Sequence, residues 1–312
     1  MNKYKHYKND ISEIINTDVN QSDWKLIRKL HLPKKYNDPS SEETKKGIVL
    51  DVEATGLSIG HDDVIQLALL PFEYETSTGR ITNIKKDKAF NGLREPRIPI
   101  SEEASLITGI TNEMVLNKTI DSNSVEEIIN NTDLVIAHNA SYDRPMVEQH
   151  WNCFKNVSWA CTFKSINWLK EGFSSAKLEL LGLNYGWFYA GHDAFNDCEA
   201  CLALLAETLP LRNETVFSVL REYAKNPTYL IKAIDAPYSK KNILRRRGYK
   251  WRPADQLNGK VWWTETNDYE EELAWLNKEI YKREINIPIK KITAFVTCFS
   301  VIAMCLYLRS ES

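Results

Sequence analysis

The fold of this chain is decided by a stretch in which an apolar run leads into two carboxylates: Gly47-Ile48-Val49-Leu50-Asp51-Val52-Glu53-Ala54-Thr55-Gly56-Leu57. The aliphatic, β-branched first half carries no charge and predicts a buried strand. Side chains alternate along a strand, so Asp51 and Glu53 share one face. Neighbouring carboxylates repel each other, and a divalent cation relieves that repulsion. The competing interpretation is a strand end with a solvated acidic pair.

Two later segments favour the metal interpretation. The first, His138-Asn139-Ala140-Ser141-Tyr142-Asp143, follows the apolar run at residues 134–137. The second, His192-Asp193-Ala194-Phe195-Asn196-Asp197, opens a helical pattern. Together with Asp51 and Glu53, these segments resemble the three motifs of the DEDDh 3′→5′ exonucleases. That DnaQ-like group includes the proofreading subunit of the bacterial replicative DNA polymerase. The resemblance covers about residues 45–210, and the His-x4-Asp spacing is typical of the histidine subclass.

The resemblance implies a fold, a cofactor and a set of roles. The fold would be ribonuclease-H-like, and the cofactors two divalent cations, Mg²⁺ or Mn²⁺, which prefer oxygen ligands. Asp51 would bridge both ions, while Glu53 and Asp197 would complete the site that holds the attacking water. Asp143 would support the second ion. His192 would take the proton of the water, as a histidine can near neutral pH.

The same resemblance assigns residues to the terminal nucleotide. Thr55, Gly56 and Leu57 match positions that line its sugar and base, and Asn139 and Tyr142 are expected to shape the same pocket. His138, at the end of a predicted strand, is instead expected to hydrogen-bond locally.

Composition limits the class of protein. The chain has 312 residues, of which 43% are hydrophobic and 26% charged, as in a folded globular protein. The net charge of −2 gives no global attraction to nucleic acid, so such affinity must be local. The polar amino end and the absence of disulfide-like cysteine spacing favour a cytoplasmic protein. Cys198 and Cys201 have the spacing of a zinc or redox pair, but a packed helix face is the favoured interpretation.

The pattern of elements predicts four segments. Residues 1–45 are a polar N-terminal extension, and 46–227 form the exonuclease domain. In that domain three strands, including 64–74 and 81–91, form a meander that is followed by crossovers. The result is an α/β fold with a mixed five-stranded sheet flanked by helices. Residues 228–286 are a small α+β unit, and 287–312 are an apolar tail.

The small unit contains a basic strip at residues 239–252, in which seven of fourteen residues are basic and none is acidic. Its candidate nucleic-acid contacts are Arg245, Arg246, Arg247, Lys250 and Trp251. A solvated surface around a small aromatic core is the alternative.

The tail contains seventeen residues without a charge, at 292–308. This length is the lower limit for a membrane anchor, and a packed carboxy-terminal helix or strand is the alternative.

The predicted function is hydrolysis of phosphodiester bonds at nucleic-acid 3′ ends, with DNA as the substrate and a polymerase or repair complex as a candidate partner. An RNA-directed 3′ exonuclease is one alternative, since this fold does not determine sugar preference. The other alternative is a protein that binds nucleic-acid ends without cutting them.

Overall fold

The computed structural model describes residues 25–40, 43–226, 228–252 and 261–292. The strands, in chain order, are β1 (Arg28–Lys29), β2 (Thr44–Ala54), β3 (Val64–Glu75), β4 (Ile81–Ile84), β5 (Phe90–Leu93), β6 (Leu134–Ala137), β7 (Trp159–Cys161), β8 (Trp187–Phe188), β9 (Thr228–Ala233), β10 (Lys250–Arg252), β11 (Val261–Thr266) and β12 (Ile289–Ile292).

The α-helices are α1 (Glu102–Thr108), α2 (Asn112–Val115), α3 (Ser122–Asn130), α4 (Ala140–Glu148), α5 (Thr162–Ser165), α6 (Leu178–Tyr185), α7 (Ala194–Ala206), α8 (Val216–Lys225), α9 (Lys241–Arg247) and α10 (Tyr269–Trp275). Helix α10 continues as a π-helical segment, Leu276–Tyr281.

The main sheet is mixed, as predicted for a ribonuclease-H-like domain. Its strand order is β4-β3-β2-β6-β7, with β5 also paired to β3. Strand β2 is antiparallel to β3 and parallel to β6, and β6 is parallel to β7. The prediction of five strands was wrong by one, because the segment predicted as a single strand at 81–91 is two. A 3₁₀ turn at Lys86–Lys88 separates β4 from β5, and both pair with the same edge of β3.

Helices cover both faces of this sheet, and the alternation of side chains along β2 separates the two layers. Ile48, Leu50 and Val52 point into one cluster, with side chains from α3 and α4. Val49 points the other way, into a cluster built with α6, α7 and α8. Asp51 and Glu53 have the same parity as Val49, so their side chains leave β2 on the side of α7.

Residues beyond 227 form a separate antiparallel sheet of four strands, in the order β10-β11-β9-β12. Among the residues that the structure describes, its apolar cluster is formed by side chains between 231 and 287. Strand β12 pairs with β9 through Ile292, so this sheet takes in residues that the sequence placed in the tail.

Both ends of the chain extend past the described residues. From the N-terminal extension, β1 pairs with β8, and Leu30, Leu32 and Tyr36 pack on the main core. Most of the predicted membrane tail, residues 293–308, lies outside the described part of the chain. Within that part, no helix has the length and apolar character needed to cross a bilayer.

Candidate active site

A cleft opens where β2 continues beyond its parallel neighbour β6. The pairing of the two strands ends at Val49 and Ile136, whereas β2 extends to Ala54. Crevices beyond the carboxyl ends of parallel strands are common ligand sites in α/β proteins. This cavity has a volume of about 360 Å³. It is lined by Asp51, Val52, Glu53, His138, Asn139, Tyr142, Asp143, Phe163, Lys177, Leu178, Glu179, His192 and Asp197.

Three carboxylates converge in the cleft. Asp51 and Glu53 come from β2, and Asp197 lies in the first turn of α7. One oxygen from each of these carboxylates lies within 4.8 Å of the others. Such a set of oxygen atoms fits a hard divalent cation such as Mg²⁺ or Mn²⁺.

Asp143 reaches the same cleft from the opposite layer. It lies on α4, and its side chain is buried. The backbone N–H of Val52 donates a hydrogen bond to its carboxylate, so Asp143 is tied to β2 between Asp51 and Glu53. The N–H of Val52 is available because β6 has ended at this level.

The electrostatics of this cluster favour a bound cation. Burial raises the pKa of Asp51 well above its usual range, and the charges of Asp143, Asp197 and Glu53 raise it further. Burial, with Asp197 and Asp193, raises the pKa of Glu53 to about 8. Burial also raises the pKa of Asp143 and of Asp197. A divalent cation bound among these carboxylates would stabilise their ionised forms and so lower their pKa values.

This cluster predicts an unusual pH dependence of stability. Burial raises the pKa of Glu53 from its ordinary value of 4.5 to about 8, so between these two pH values the folded state holds a proton that the unfolded state releases. Linkage then requires stability to fall as pH rises through that window. We expect Glu53→Gln to remove this loss and to raise Tm in EDTA at pH 8.5 by about 2–4 °C, for a gain of roughly 1 kcal/mol.

The matched control is a carboxylate shifted in the opposite direction. Burial opposes ionisation of Glu73, but hydrogen bonds from Asn83 and Lys85 outweigh it and lower the pKa. Glu73→Gln should therefore lower Tm at pH 8.5. Thermal melts in EDTA at pH 5 and 8.5 check both variants. A Glu53→Gln variant less stable than wild type at pH 8.5 without metal would contradict the expectation.

Two histidines line the cleft, and their environments differ. His138 is held between the Thr162 hydroxyl and the Ala176 carbonyl, each 2.8 Å from one ring nitrogen. Burial lowers its pKa to about 4, so it is neutral and fully bonded at pH 7. His192 is exposed and adopts a left-handed backbone, with φ of 62°. Its backbone N–H donates to Asp197, which ties this loop to the carboxylate cluster.

Tyr189 was not found from the sequence. Its hydroxyl donates to Oδ1 of Asp197 over 2.7 Å, which orients that carboxylate. Lys177, Glu179 and Phe163 also line the cleft without belonging to any motif.

Gln66 was also missed, and it fixes the start of α7. Its amide nitrogen donates to Asp193 over 3.2 Å, and its amide oxygen accepts from the N–H of Ala194 over 3.1 Å. Gln66 is paired with Glu53 across the β2–β3 ladder. Its side chain therefore positions the helix that carries Asp197 relative to the strand that carries Glu53. The available signal was a polar residue inside the apolar run at 64–70.

The residues predicted to hold the terminal nucleotide divide into two groups. Asn139 and Tyr142 line the cleft. Thr55 is buried. Its hydroxyl donates a hydrogen bond to Asp62 and accepts one from the N–H of Asp63. The carbonyl of Gly56 accepts the Tyr142 hydroxyl over 2.8 Å. A Cβ at Gly56 would lie 2.6 Å from the carboxylate of Asp62, so a larger residue there would displace the Asp62 side chain. Leu57 is 83% exposed.

The remaining predicted residues lie elsewhere. Cys198 and Cys201 are buried in α7, and the thiol of Cys198 contacts the carbonyls of Val49 and Ala68. They belong to a packed helix face. The five candidate nucleic-acid contacts of the basic strip are in the second sheet unit, and none of them lines the cleft.

Comparison with known proteins bears on the main domain. A family model described as RNase_T, Exonuclease, matches residues 48–205. The PolC-type DNA polymerase III of Thermotoga petrophila is 33% identical over 110 residues, which are 33% of this chain and 7% of that protein. The DNA polymerase III subunit epsilon of Aquifex aeolicus is 26% identical over 157 residues, which are 48% of this chain and 73% of that protein. This chain thus spans a small fraction of the PolC-type relatives.

Among solved structures, this chain is similar to one of exonuclease I. The matched region covers 81% of this chain and 63% of the exonuclease I chain. Its identity to this chain is 15% and its TM-score is 0.49.

Proposed function

Because this chain belongs to the RNase_T exonuclease family, we propose that it is a divalent-metal-dependent 3′→5′ exonuclease that removes 5′-nucleotides from DNA ends. The observation that carries the proposal is the convergence of Asp51, Glu53 and Asp197, whose oxygens lie within 4.8 Å of one another in an open cleft. Asp143 and His192 line the same cleft.

In this proposal the four carboxylates hold two cations, Mg²⁺ or Mn²⁺. By the family resemblance, Asp51 would contribute to both sites, Glu53 and Asp197 would complete the one that activates the water, and Asp143 would complete the other. Bound divalent ions supply a water of lowered pKa and neutralise charge on the phosphoryl oxygens. Tyr189 and Gln66 act as positioning residues, because they orient Asp197 and the start of its helix.

His192 is the general base. It is exposed in the cleft, whereas both ring nitrogens of His138 are already bonded. An imidazole nitrogen of His192 accepts a proton from water as the water oxygen bonds to phosphorus. The bond from phosphorus to the 3′ oxygen breaks, and that oxygen takes a proton from solvent. The products are a 5′-nucleotide and a strand with a new 3′ hydroxyl.

The terminal nucleotide is held beside the carboxylates by Asn139 and Tyr142. The bond from Tyr142 to the Gly56 carbonyl links this pocket to the turn at residues 55–57. Within that turn Thr55 acts through the backbone conformation that it stabilises, and exposed Leu57 offers an apolar surface to the base.

The choice of DNA is supported by the relatives, which are DNA polymerase III proteins by name. The same names support a polymerase complex as a partner, and a repair complex stays a prediction from the sequence.

End-labelled oligonucleotides test the substrate and the direction of cleavage. We expect Mg²⁺ or Mn²⁺ to support stepwise loss of nucleotides from the 3′ end of a DNA strand, and EDTA to stop it. An RNA strand of the same sequence should be degraded at least tenfold more slowly. The measurement is gel analysis of the shortened strands, with chromatographic identification of the released 5′-nucleotides.

A circular DNA strand of matched sequence is the control, since it has no end and should survive. Faster cleavage of RNA than of DNA would favour the RNA-directed alternative. Binding of 3′ ends without metal-dependent cleavage of either strand would favour a non-catalytic protein.

A further inference from the structure

A second cavity opens beside the cleft. It has a volume of about 480 Å³ and is lined by residues 163–169, by residues 173–176 and by Tyr223 of α8. We call this cavity the side groove. Phe163 lines both the side groove and the cleft, so the two cavities meet at this residue. A ligand that fills the cleft and extends past Phe163 would therefore enter the side groove.

The walls of the side groove are fixed by the end of β6. The ring nitrogens of His138 lie 2.8 Å from the Thr162 hydroxyl and 2.8 Å from the Ala176 carbonyl, so this side chain ties one wall to the other. The carbonyl of His138 accepts a hydrogen bond from the N–H of Phe163 over 2.9 Å. The rings of His138 and Phe163 pack edge to face, with their centroids 5.7 Å apart. Since all of these contacts are within the protein, the opening between cleft and groove is formed before substrate binds.

The floor of the side groove belongs to the hydrophobic core. Trp168 and Phe173 are buried and pack edge to face, with their ring centroids 5.4 Å apart. The indole N–H of Trp168 donates to the Thr162 carbonyl over 2.9 Å. Two other rings of the lining remain accessible, since Phe163 is 40% exposed and Tyr223 is 41% exposed. Within the described part of the chain, no other ring and no charged group packs on Tyr223.

The side groove differs from the cleft in charge. Five carboxylates line the cleft, whereas none of the described residues that line the groove is acidic. Lys164 lines the groove and Lys177 lines the cleft, and both side chains are exposed. Neither ammonium group has an ion pair or a hydrogen bond with any residue that the structure describes. Unbalanced positive charge therefore lies on both sides of Phe163.

The order of the strands relates the side groove to the proposed nucleotide pocket. Strand β6 lies between β2 and β7, so the turn at residues 55–57 and Phe163 flank the end of β6 from opposite sides. These two sides are separated by two strand spacings, roughly 10 Å. The proposed pocket for the terminal nucleotide is on the β2 side, where Tyr142 bonds to Gly56. The side groove opens on the β7 side, so it can accept the strand that continues from that nucleotide.

We propose that the side groove binds the single-stranded part of the substrate that lies 5′ to the nucleotide being removed. Bases stack on Phe163 and Tyr223, and the ammonium groups of Lys164 and Lys177 contact phosphates. Aromatic rings beside positive charge bind single strands with little preference for sequence. The proposal rests on the proposed exonuclease function, because it gives the direction in which the substrate of that enzyme crosses the cleft.

The side groove predicts that affinity depends on strand length. In EDTA, a ten-nucleotide oligo(dT) strand should bind the full chain at least about tenfold more tightly than a thymidine dinucleotide, since only the longer strand reaches Tyr223. Tyr223→Leu should weaken binding of the longer strand about tenfold, but should bind an abasic strand of the same length as tightly as the parent does. Lys164→Gln should reduce the salt slope by roughly 0.7, the contribution of one phosphate contact to a single strand. Fluorescence anisotropy with 5′-labelled strands measures these properties without cleavage.

Matched controls come from the same domain. Phe188→Leu removes an exposed ring on β8, and Lys155→Gln removes an exposed lysine. Neither residue lines the cleft or the side groove, so both variants should bind like the parent. Unchanged Tm shows that each variant folds.

Photo-crosslinking tests the direction of the strand. A 5-iododeoxyuridine on the 5′ side of the terminal nucleotide should crosslink to Phe163 or Tyr223, and peptide mass spectrometry identifies the site. The same base at the 3′ end should crosslink outside the side groove. Crosslinking of Tyr223 by the 3′-terminal base would overturn the proposed direction.

The inference as a whole is overturned by equal affinity for two nucleotides and ten, or by parent-like binding in both Tyr223→Leu and Lys164→Gln. Equal losses in the control variants would also overturn it. Hydrolysis of the dinucleotide by the parent in Mg²⁺ tests the proposed function separately, because the dinucleotide does not reach Tyr223. If the parent fails to hydrolyse it, the proposed function fails, while anisotropy and crosslinking still decide the side groove.

Discussion

In the Asp51→Asn variant we expect 3′-end hydrolysis to fall by on the order of 10³-fold or more. Asp51 lies among three other carboxylates and is the residue whose pKa all of them raise, so it is at the centre of the cluster. A metal ion contributes several kcal/mol of transition-state stabilisation, and each 1.36 kcal/mol is about tenfold in rate. Glu53→Gln, Asp143→Asn and Asp197→Asn should have effects of similar size. Single-turnover rates with Mg²⁺ measure the loss.

Stability separates this effect from misfolding. The four isosteric variants remove a charge from a site where like charges repel, so their Tm in EDTA should equal or exceed that of wild type. Isothermal titration with Mn²⁺ should show weaker metal binding. Asp87→Asn is the matched control, since Asp87 is exposed and lies outside the cleft. Wild-type rates in any of the four variants would remove that residue from the proposed site.

Replacing His192 by Ala should lower the rate by roughly 10²- to 10⁴-fold, the usual contribution of a positioned general base. The side chain is exposed, so the fold should tolerate its loss. Binding of metal and of DNA should remain, because the carboxylates and the nucleotide pocket are intact. Single-turnover rates across a pH series, together with Mn²⁺ titration, measure these properties separately.

His61→Ala serves as the control, because His61 is exposed on the turn after β2 and does not line the cleft. Its rate should match wild type. A His192→Ala variant with the pH–rate profile of wild type would assign the role of base to another group. His138 is a poor substitute, because its two ring nitrogens are already occupied by Thr162 and Ala176.

The cluster that would bind metal lowers the stability of the metal-free protein. Buried carboxylates that repel one another favour protonation over ionisation, as the raised pKa of Glu53 illustrates. The packing of Cys198 against Val49 and Ala68, and the bonds from Gln66, hold α7 on the sheet despite this repulsion. The domain thus keeps like charges together before any cation is bound, which is the preorganisation that a metal site needs.

Local sequence determined which residues are brought to the cleft. The alternation of side chains along β2 places Asp51 and Glu53 on the face that α7 covers. The His-x4-Asp spacing places Asp197 in the first turn of α7, with Asp193 as its N-cap. These relations depend only on the periods of strand and helix, so they follow from spacing in the chain.

Only the tertiary structure decided what those residues touch. Gln66 meets Asp193 across 127 residues of sequence, and Tyr142 meets Gly56 across 86. The Thr55 hydroxyl is bonded within its own turn, and Arg247 is neutralised by Glu271 and Glu272. The segment at 81–91 forms two strands that pair with different parts of the same edge of β3, on either side of a 3₁₀ turn. Such pairings depend on how distant segments pack against each other, and the periodicity of a single segment carries no information about its partner.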